Sequence, residues 1–365
     1  MTYLIAIGGI AALVILHEFG HFIVAKAVGM RVERFSLFFG PMLVKFRRGE
    51  TEYGIGPIPL GGYVKITGMN PNEEIPPEVA PRAYYRQPVW KRVVVILAGP
   101  AMNLLVAFVI LTGLVLSRGV PVASHPQRFV LHAVIKGSPA SKYLKAGDQI
   151  VAVDGKRGLT SAQIASSISS HQCAGTATAQ CKATTPVTLV VRRHGRLDQF
   201  AIYPRYDASV KKTRIGISMG LAITTHHYGV VGAAGKGVSL MWYVTHETVS
   251  RVVQIFKPQD RKQLHGIVGV TDLAHQAVAL GPAAALEILA LISLSLAIIN
   301  LFPFLPLDGG HVFWALAEKV RGRPIPFSVM ERAGVVGFAL VVLIGVIGLS
   351  NDISSLTGSG LSLPR

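Results

Sequence analysis

His17, Glu18 and His21 stand in the pentad His17-Glu18-Phe19-Gly20-His21, and their types and spacing could do chemistry. Residues four apart share one face of a helix, so both imidazoles can reach a single metal ion while Glu18 stays beside it as a base. Zinc held in this way serves metal-assisted hydrolysis, in which three protein ligands leave a fourth position for water. A third ligand is needed. The stretch Asn300-Leu301-Phe302-Pro303-Phe304-Leu305-Pro306-Leu307-Asp308-Gly309-Gly310 offers Asp308, at a point where prolines and glycines break a helix. His311 is a rival one turn further on, and Asp308 could instead be a turn or capping residue beside Gly309. A pentapeptide match also arises by accident, so its setting has to decide.

That setting is an apolar run over residues 4–28. A Lys, Arg or Asp at the centre of a membrane helix costs on the order of 2.5–3.5 kcal/mol on insertion scales, so polar groups at such depth face a protein interior and serve function. Three further runs, residues 93–116, 283–305 and the shorter 335–349, are also long enough to cross about 30 Å of hydrocarbon. Half of the 365 residues are hydrophobic, which predicts a polytopic α-helical membrane protein of about four transmembrane helices with a water-soluble domain. The first run lacks the basic leader of a signal peptide and reads as a retained helix. A net charge of +17 would suggest nucleic acid in a soluble protein. Here the basic residues flank the apolar runs and no nucleic-acid motif is present, so the lipid bilayer is the expected partner and nucleic acid is not.

The bias of short connections sets orientation. Arg31, Lys45, Arg47, Arg48, Lys91 and Arg92 lie between the first two runs, and Lys319, Arg321 and Arg323 follow the third, so both connections are expected in the cytoplasm. The long segment 117–281 and both termini are then outside. His17 and His21 come 13 to 17 residues into a helix entering from outside, a depth of roughly 20–25 Å at about 1.5 Å per residue. Asp308, at the inner end of the third run, reaches the same half of the bilayer, so the two ligand sets can meet.

Between the first two runs, residues 32–66 alternate apolar and polar around Gly40-Pro41, Gly49, Gly56-Pro57 and Gly61-Gly62, which predicts short strands joined by turns: either a cytoplasmic hairpin without a role or a membrane-associated β-hairpin with an edge for an extended peptide. Residues 70–81 read as a flexible connection. In the outer segment, residues 131–135, 148–153, 187–192 and 199–203 read as strands and 161–170 as a helix. Cys173 and Cys181 fall in an insertion there, and either a disulfide or two free thiols is compatible with the sequence. Residues 230–256 read as an amphipathic helix on the outer membrane surface, with a fifth span as the alternative, and residues 263–280 as a surface turn and helix.

The pentad on the first span, Asn-x-x-Pro-x-x-x-Leu-Asp-Gly at Asn300 to Gly309, Gly99-Pro100-Ala101-Met102-Asn103 in the second span and Gly61-Gly62-Tyr63-Val64-Lys65 together resemble the signature of bacterial site-2 proteases, in the regulator-of-sigma-E protease branch, over almost the whole chain. The outer segment resembles a permuted bacterial PDZ domain. The resemblance implies a multi-pass protein of the bacterial inner membrane, with an external α+β PDZ-like domain and a zinc site of His17, His21 and Asp308 toward the cytoplasmic side. It also implies Glu18 as the base, and regulated intramembrane proteolysis of single-span membrane proteins such as anti-sigma factors or signal-peptide remnants, after a first cut by an upstream site-1-type protease. Asn300 would contact the substrate backbone; capping the broken helix is its other possible role. Two departures stand out: Phe38-Phe39-Gly40 replaces a Gly-x-Gly common in the family hairpin, and one PDZ-like pattern is visible where the best-known branch has two.

The expected domains are residues 1–126 with the first two spans and the hairpin, 127–223 as the PDZ-like domain, 224–282 as an amphipathic segment, and 283–365 with the last two spans. Two other functions stay open on sequence: a non-proteolytic membrane PDZ adaptor with a structural zinc site, and a metal transporter. A structural site would more often have four protein ligands. A transporter needs a polar path that the second and fourth runs, almost free of ionisable residues, do not provide.

Overall fold

Four helices are long and apolar enough to cross a membrane by length and composition: Thr2–Ala27, Val89–Arg118, Pro282–Asn300 and Ser328–Ser354. They belong to a computed structural model that describes residues 1–58, 61–70, 73–123, 128–175, 178, 181–254 and 266–357. The chain divides into two compact units, Met1–Ser117 with Tyr228–Arg365, and Arg118–His227.

In the first unit, α1 (Thr2–Ala27) is apolar almost throughout and buries Ala6, Leu13 and Ala25 alongside the polar His17 and His21. Four strands follow: β1 (Val32–Leu37), β2 (Val44–Arg48), β3 (Thr51–Ile55) and β4 (Tyr63–Ile66). They form one sheet in the order β2-β3-β1-β4. The expected β-hairpin is thus one part of a mixed sheet. Gly49, at φ 64°, turns β2 back on β3, while β1 pairs with β3 in parallel and with β4 antiparallel. Ala25, Met30, Val32, Ile66, Tyr84, Val95 and Ile96 form one buried cluster, which pins the sheet between the end of α1 and the start of α2 (Val89–Arg118). Residues 71–72 of the expected flexible connection lie outside the described residues. Just beyond its far end, Arg82 grips Glu50 through two bonds of 2.7 Å.

The second unit holds a ribbon of β5 (Val120–Ala123) with a later strand, then β6 (Phe129–Val134), β7 (Gln149–Val153), β8 (Lys156–Arg157), α3 (Ser161–Ser170), β9 (Val187–Arg193) and β10 (Arg196–Ile202). After these come β11 (Arg205–Asp207), β12 (Lys212–Arg214), β13 (Ile217–Leu221) and β14 (Ile223–His226), which pairs with β5. The main sheet runs β10-β9-β7-β6-β13. Alternating residues of β6, β7 and β9 supply its core with Leu131, Val153, Leu189 and Val191, against Ile164 and Ile168 of α3. Thr160 and Gln163 close a capping box that starts α3 at the predicted residue. Cys173 and Cys181 are joined in a disulfide.

The chain returns to the first unit with α4 (Val230–Gln254), α5 (Ile267–Leu280), α6 (Pro282–Asn300), α7 (Asp308–Arg321) and α8 (Phe327–Thr357). Residues 255–256 and 263–265 of the expected amphipathic elements lie outside the described residues. α4 packs along two spans, with Met241 and Val244 against Ala107 of α2 and Leu294 and Ile298 of α6. α6 ends at Asn300, before the expected residue 305, because Pro303 and Pro306 cannot continue it. The sequence reading had no counterpart to α7, which starts at Asp308 itself.

Candidate metal centre

α1 presents His17 and His21 one turn apart with their rings edge to face at 84°, and their Nε2 atoms lie 3.3 Å apart. Two glycines make the place for them. A Cβ on Gly20 would strike the Ala98 carbonyl, and one on Gly99 would strike His21 Nε2, so α1 and α2 cross with backbone close to backbone. His21 Nδ1 lies 2.9 Å from the Val95 carbonyl oxygen. A carbonyl only accepts, so Nδ1 carries the proton and Nε2 of the neutral ring is left with its lone pair.

The third group arrives from α7. Gly309 and Gly310 let its first turn fold onto the preceding loop, since side chains there would collide with the backbone of Leu301, Phe302, Phe304 and Leu305. Asp308 then opens the helix, where the positive end of the helix dipole suits a carboxylate. Arg92 of α2 holds α7 in place through Glu318, with bonds of 3.0 and 2.7 Å. As a result Asp308 Oδ2 stands 3.1 Å from His17 Nε2 and 3.4 Å from His21 Nε2.

This set fits a metal. Two ligands each about 2.0–2.1 Å from a tetrahedral ion lie about 3.3 Å apart, and the three separations are 3.3, 3.1 and 3.4 Å. Asp308 Oδ2 is also buried without a well-directed hydrogen bond, an expensive arrangement for a carboxylate unless a cation compensates it. Among the described residues these three are the one such group of His, Cys, Asp or Glu side chains.

Glu18 projects from the same turn toward the sheet. A Cβ on Gly62 would stand 3.3 Å from Glu18 Cγ and 2.7 Å from the Ser36 carbonyl oxygen, so this glycine is what lets β4 approach. In the order of the sheet β4 is an edge strand. Asn300 is the last residue of α6 and half-buried; the α6 C-cap is made by the Leu301 backbone amide, not by the Asn300 side chain. His311 is outside the cluster. It faces a cavity of about 420 Å³ together with Tyr84, Arg92, Trp314 and Glu318.

Reasoning from sequence overlooked Arg92, Glu318 and Asn103 as parts of this site. Asn103 is fully buried on α2, with its carboxamide nitrogen 3.3 Å from His17 Nδ1. It could have been found by the logic that drew attention to His17, as a polar residue deep in an apolar run.

Comparison with known proteins agrees with this geometry. The family model for Peptidase family M50 matches residues 5–344. A protein named zinc metalloprotease Rip1 from Mycolicibacterium smegmatis is 31% identical over 367 residues, covering 89% of this chain and 87% of the relative. Its namesake from Mycobacterium tuberculosis is 31% identical, covering 84% and 83%. A Rhizobium meliloti protein, a candidate zinc metalloprotease by name, is 30% identical, covering 95% and 94%.

Proposed function

The chain belongs to peptidase family M50, and from that premise we propose that it hydrolyses peptide bonds in or near the transmembrane segments of single-span membrane proteins, with zinc at His17, His21 and Asp308. The observation that carries this reading is the meeting of the three ligand atoms, all within 4.8 Å of one another, inside helices able to span a membrane.

Zinc bound there would supply a Lewis acid that acidifies water and polarises the scissile carbonyl. Glu18 takes the proton of the attacking water on its carboxylate and returns it to the leaving amine. A peptide bond in an intact helix hides its carbonyl, so the substrate must be unwound before it reaches Glu18. The free edge of β4 can hold such a segment by strand addition, and the Asn300 carboxamide can take a backbone bond from it. Helix-breaking residues in the substrate favour cleavage on this account.

The rest of the reading concerns setting. Two elements favour a PDZ-like module for residues 127–223: the order of strands around α3 and the position of β13 at the edge of the sheet. A disulfide within it suits an oxidising compartment, hence the outer side of a bacterial inner membrane, with the zinc site toward the cytoplasm. The module would screen substrate ectodomains, so that fragments left by an upstream protease are preferred. A structural-zinc adaptor is the weaker alternative, because three protein ligands with a neighbouring glutamate leave a position open.

Comparing membrane proteomes of cells carrying the native protein and Glu18→Gln tests the proposal. Single-span fragments should accumulate in the variant; identical proteomes would refute it.

A further inference from the structure

His17 and His21 are served unequally by α2. His21 has its Nδ1 proton fixed by the Val95 carbonyl. His17 Nδ1 faces the side chain of Asn103, whose nitrogen lies 3.3 Å away and whose buried Oδ1 has no hydrogen-bond partner. In that orientation the NH2 group donates to Nδ1, which forces the proton of a neutral His17 onto Nε2. That is the atom 3.1 Å from Asp308 Oδ2, so a proton there would occupy the lone pair a metal needs.

The two ends of a carboxamide have nearly the same shape, and their assignment follows from the bonding around them. Turned over, Asn103 directs Oδ1 at His17 Nδ1, satisfies an orphaned acceptor and releases the Nε2 lone pair toward His21 Nε2 and Asp308 Oδ2. The NH2 group then takes the place where the oxygen found no donor. Asn103 itself is firmly held. It is 0% exposed, and its backbone carbonyl accepts a 2.9 Å bond from the equally buried Ser293 hydroxyl of α6.

We propose that Asn103 is the positioning residue for His17: its carboxamide oxygen accepts the Nδ1 proton and so fixes the tautomer that turns Nε2 toward the metal. α2 thereby sets both histidines, one through a backbone carbonyl and the other through a side chain. The proposal rests on His17 being a metal ligand. Partners of this kind typically contribute 10–100-fold to metal affinity.

The test uses the full-length protein in detergent. Zinc affinity is measured by competition with a chromophoric chelator, tetrahedral cobalt(II) absorption is recorded after exchange, and thermal unfolding of the metal-free forms checks folding. Asn103→Asp keeps an acceptor and removes every donor, so it should hold zinc within about threefold of the native protein and give the same cobalt spectrum. Asn103→Leu should lose about 10–100-fold in affinity. Loss in Asn103→Asp as large as in Asn103→Leu would show that the nitrogen, not the oxygen, serves His17, and full affinity in Asn103→Leu would show that neither does. Should Asn103→Leu fail to fold, Asn103→Asp decides alone. A native protein without stoichiometric zinc would overturn the metal reading itself.

Discussion

At Glu18 and its two flanking histidines, one helical turn divides the labour. His17 and His21 point to α2 and α7, while Glu18 points to the sheet, so ligands and base leave the helix on different sides. This division was legible in the spacing, since the side chains at positions 17 and 21 share a face that the one at 18 cannot. The glycines were less so. Gly20 and Gly99 matter because of what stands opposite them, the Ala98 carbonyl and the His21 ring, and no local pattern announces a neighbour from another helix. Asp308 was found by depth, and the proposal that it completes the ligand set has a direct consequence. Asp308→Ala should leave a two-histidine site and lower zinc affinity by at least about 100-fold, read by chelator competition, with residual activity restored only at high zinc. Unchanged zinc stoichiometry at limiting metal would remove Asp308 from the set.

The elements explain why these residues meet. α7 begins at Asp308 because the loop before it, crowded by Pro303 and Pro306, ends in a glycine pair that folds beneath it, and Arg92 with Glu318 then ties it to α2. Arg92 is 7% exposed, so removing it leaves a carboxylate facing a poorly solvated wall. Arg92→Met should destabilise the protein by about 1–3 kcal/mol, the partial exposure of Glu318 keeping this below the cost of a fully buried pair. The double variant Arg92→Met with Glu318→Leu should recover more than half of that, measured by thermal unfolding in detergent as a double-mutant cycle. Why the sheet was only half visible is also physical. Turn residues announce β2 and β3, but the parallel pairing of β1 with β3 joins strands that are not neighbours in sequence, and it depends on the packing of Val32 and Ile66 under Tyr84 and Val95. Phe38 takes φ 79°, a left-handed conformation that glycine adopts without cost.

Across the whole molecule, the two units answer to different solvents. The spans declare themselves by length and hydropathy, and the second unit by alternation and turns, which is why both were readable; the path of α4 against α2 and α6 was not, since its composition fits a membrane surface as well as a helix interface. In the second unit Asp148 is buried, which alone would raise its pKa, but bonds of 2.7 and 2.6 Å from Arg193 and one from the Lys145 amide outweigh burial and hold it below the usual carboxylate range. A carboxylate whose folded pKa is depressed stabilises above its unfolded value, near 3.9, and that stabilisation is lost as pH falls through the folded value. Acid unfolding of this unit, followed by circular dichroism, should therefore steepen below about pH 4, and Asp148→Asn should flatten that dependence. Deleting residues 127–223 should leave cleavage of pre-trimmed substrates intact and admit untrimmed ones; unchanged selectivity between the two would reduce this unit to a spacer. The central claim, a zinc peptidase acting within the membrane through Glu18, is tested most directly by reconstituting the native protein and Glu18→Gln in lipid vesicles with a single-span substrate and mapping products by mass spectrometry at matched zinc content. The expected result is equal zinc in both proteins, cuts inside the substrate span by the native protein, and turnover reduced at least about 10²–10⁴-fold in Glu18→Gln. Undiminished turnover by Glu18→Gln would contradict it.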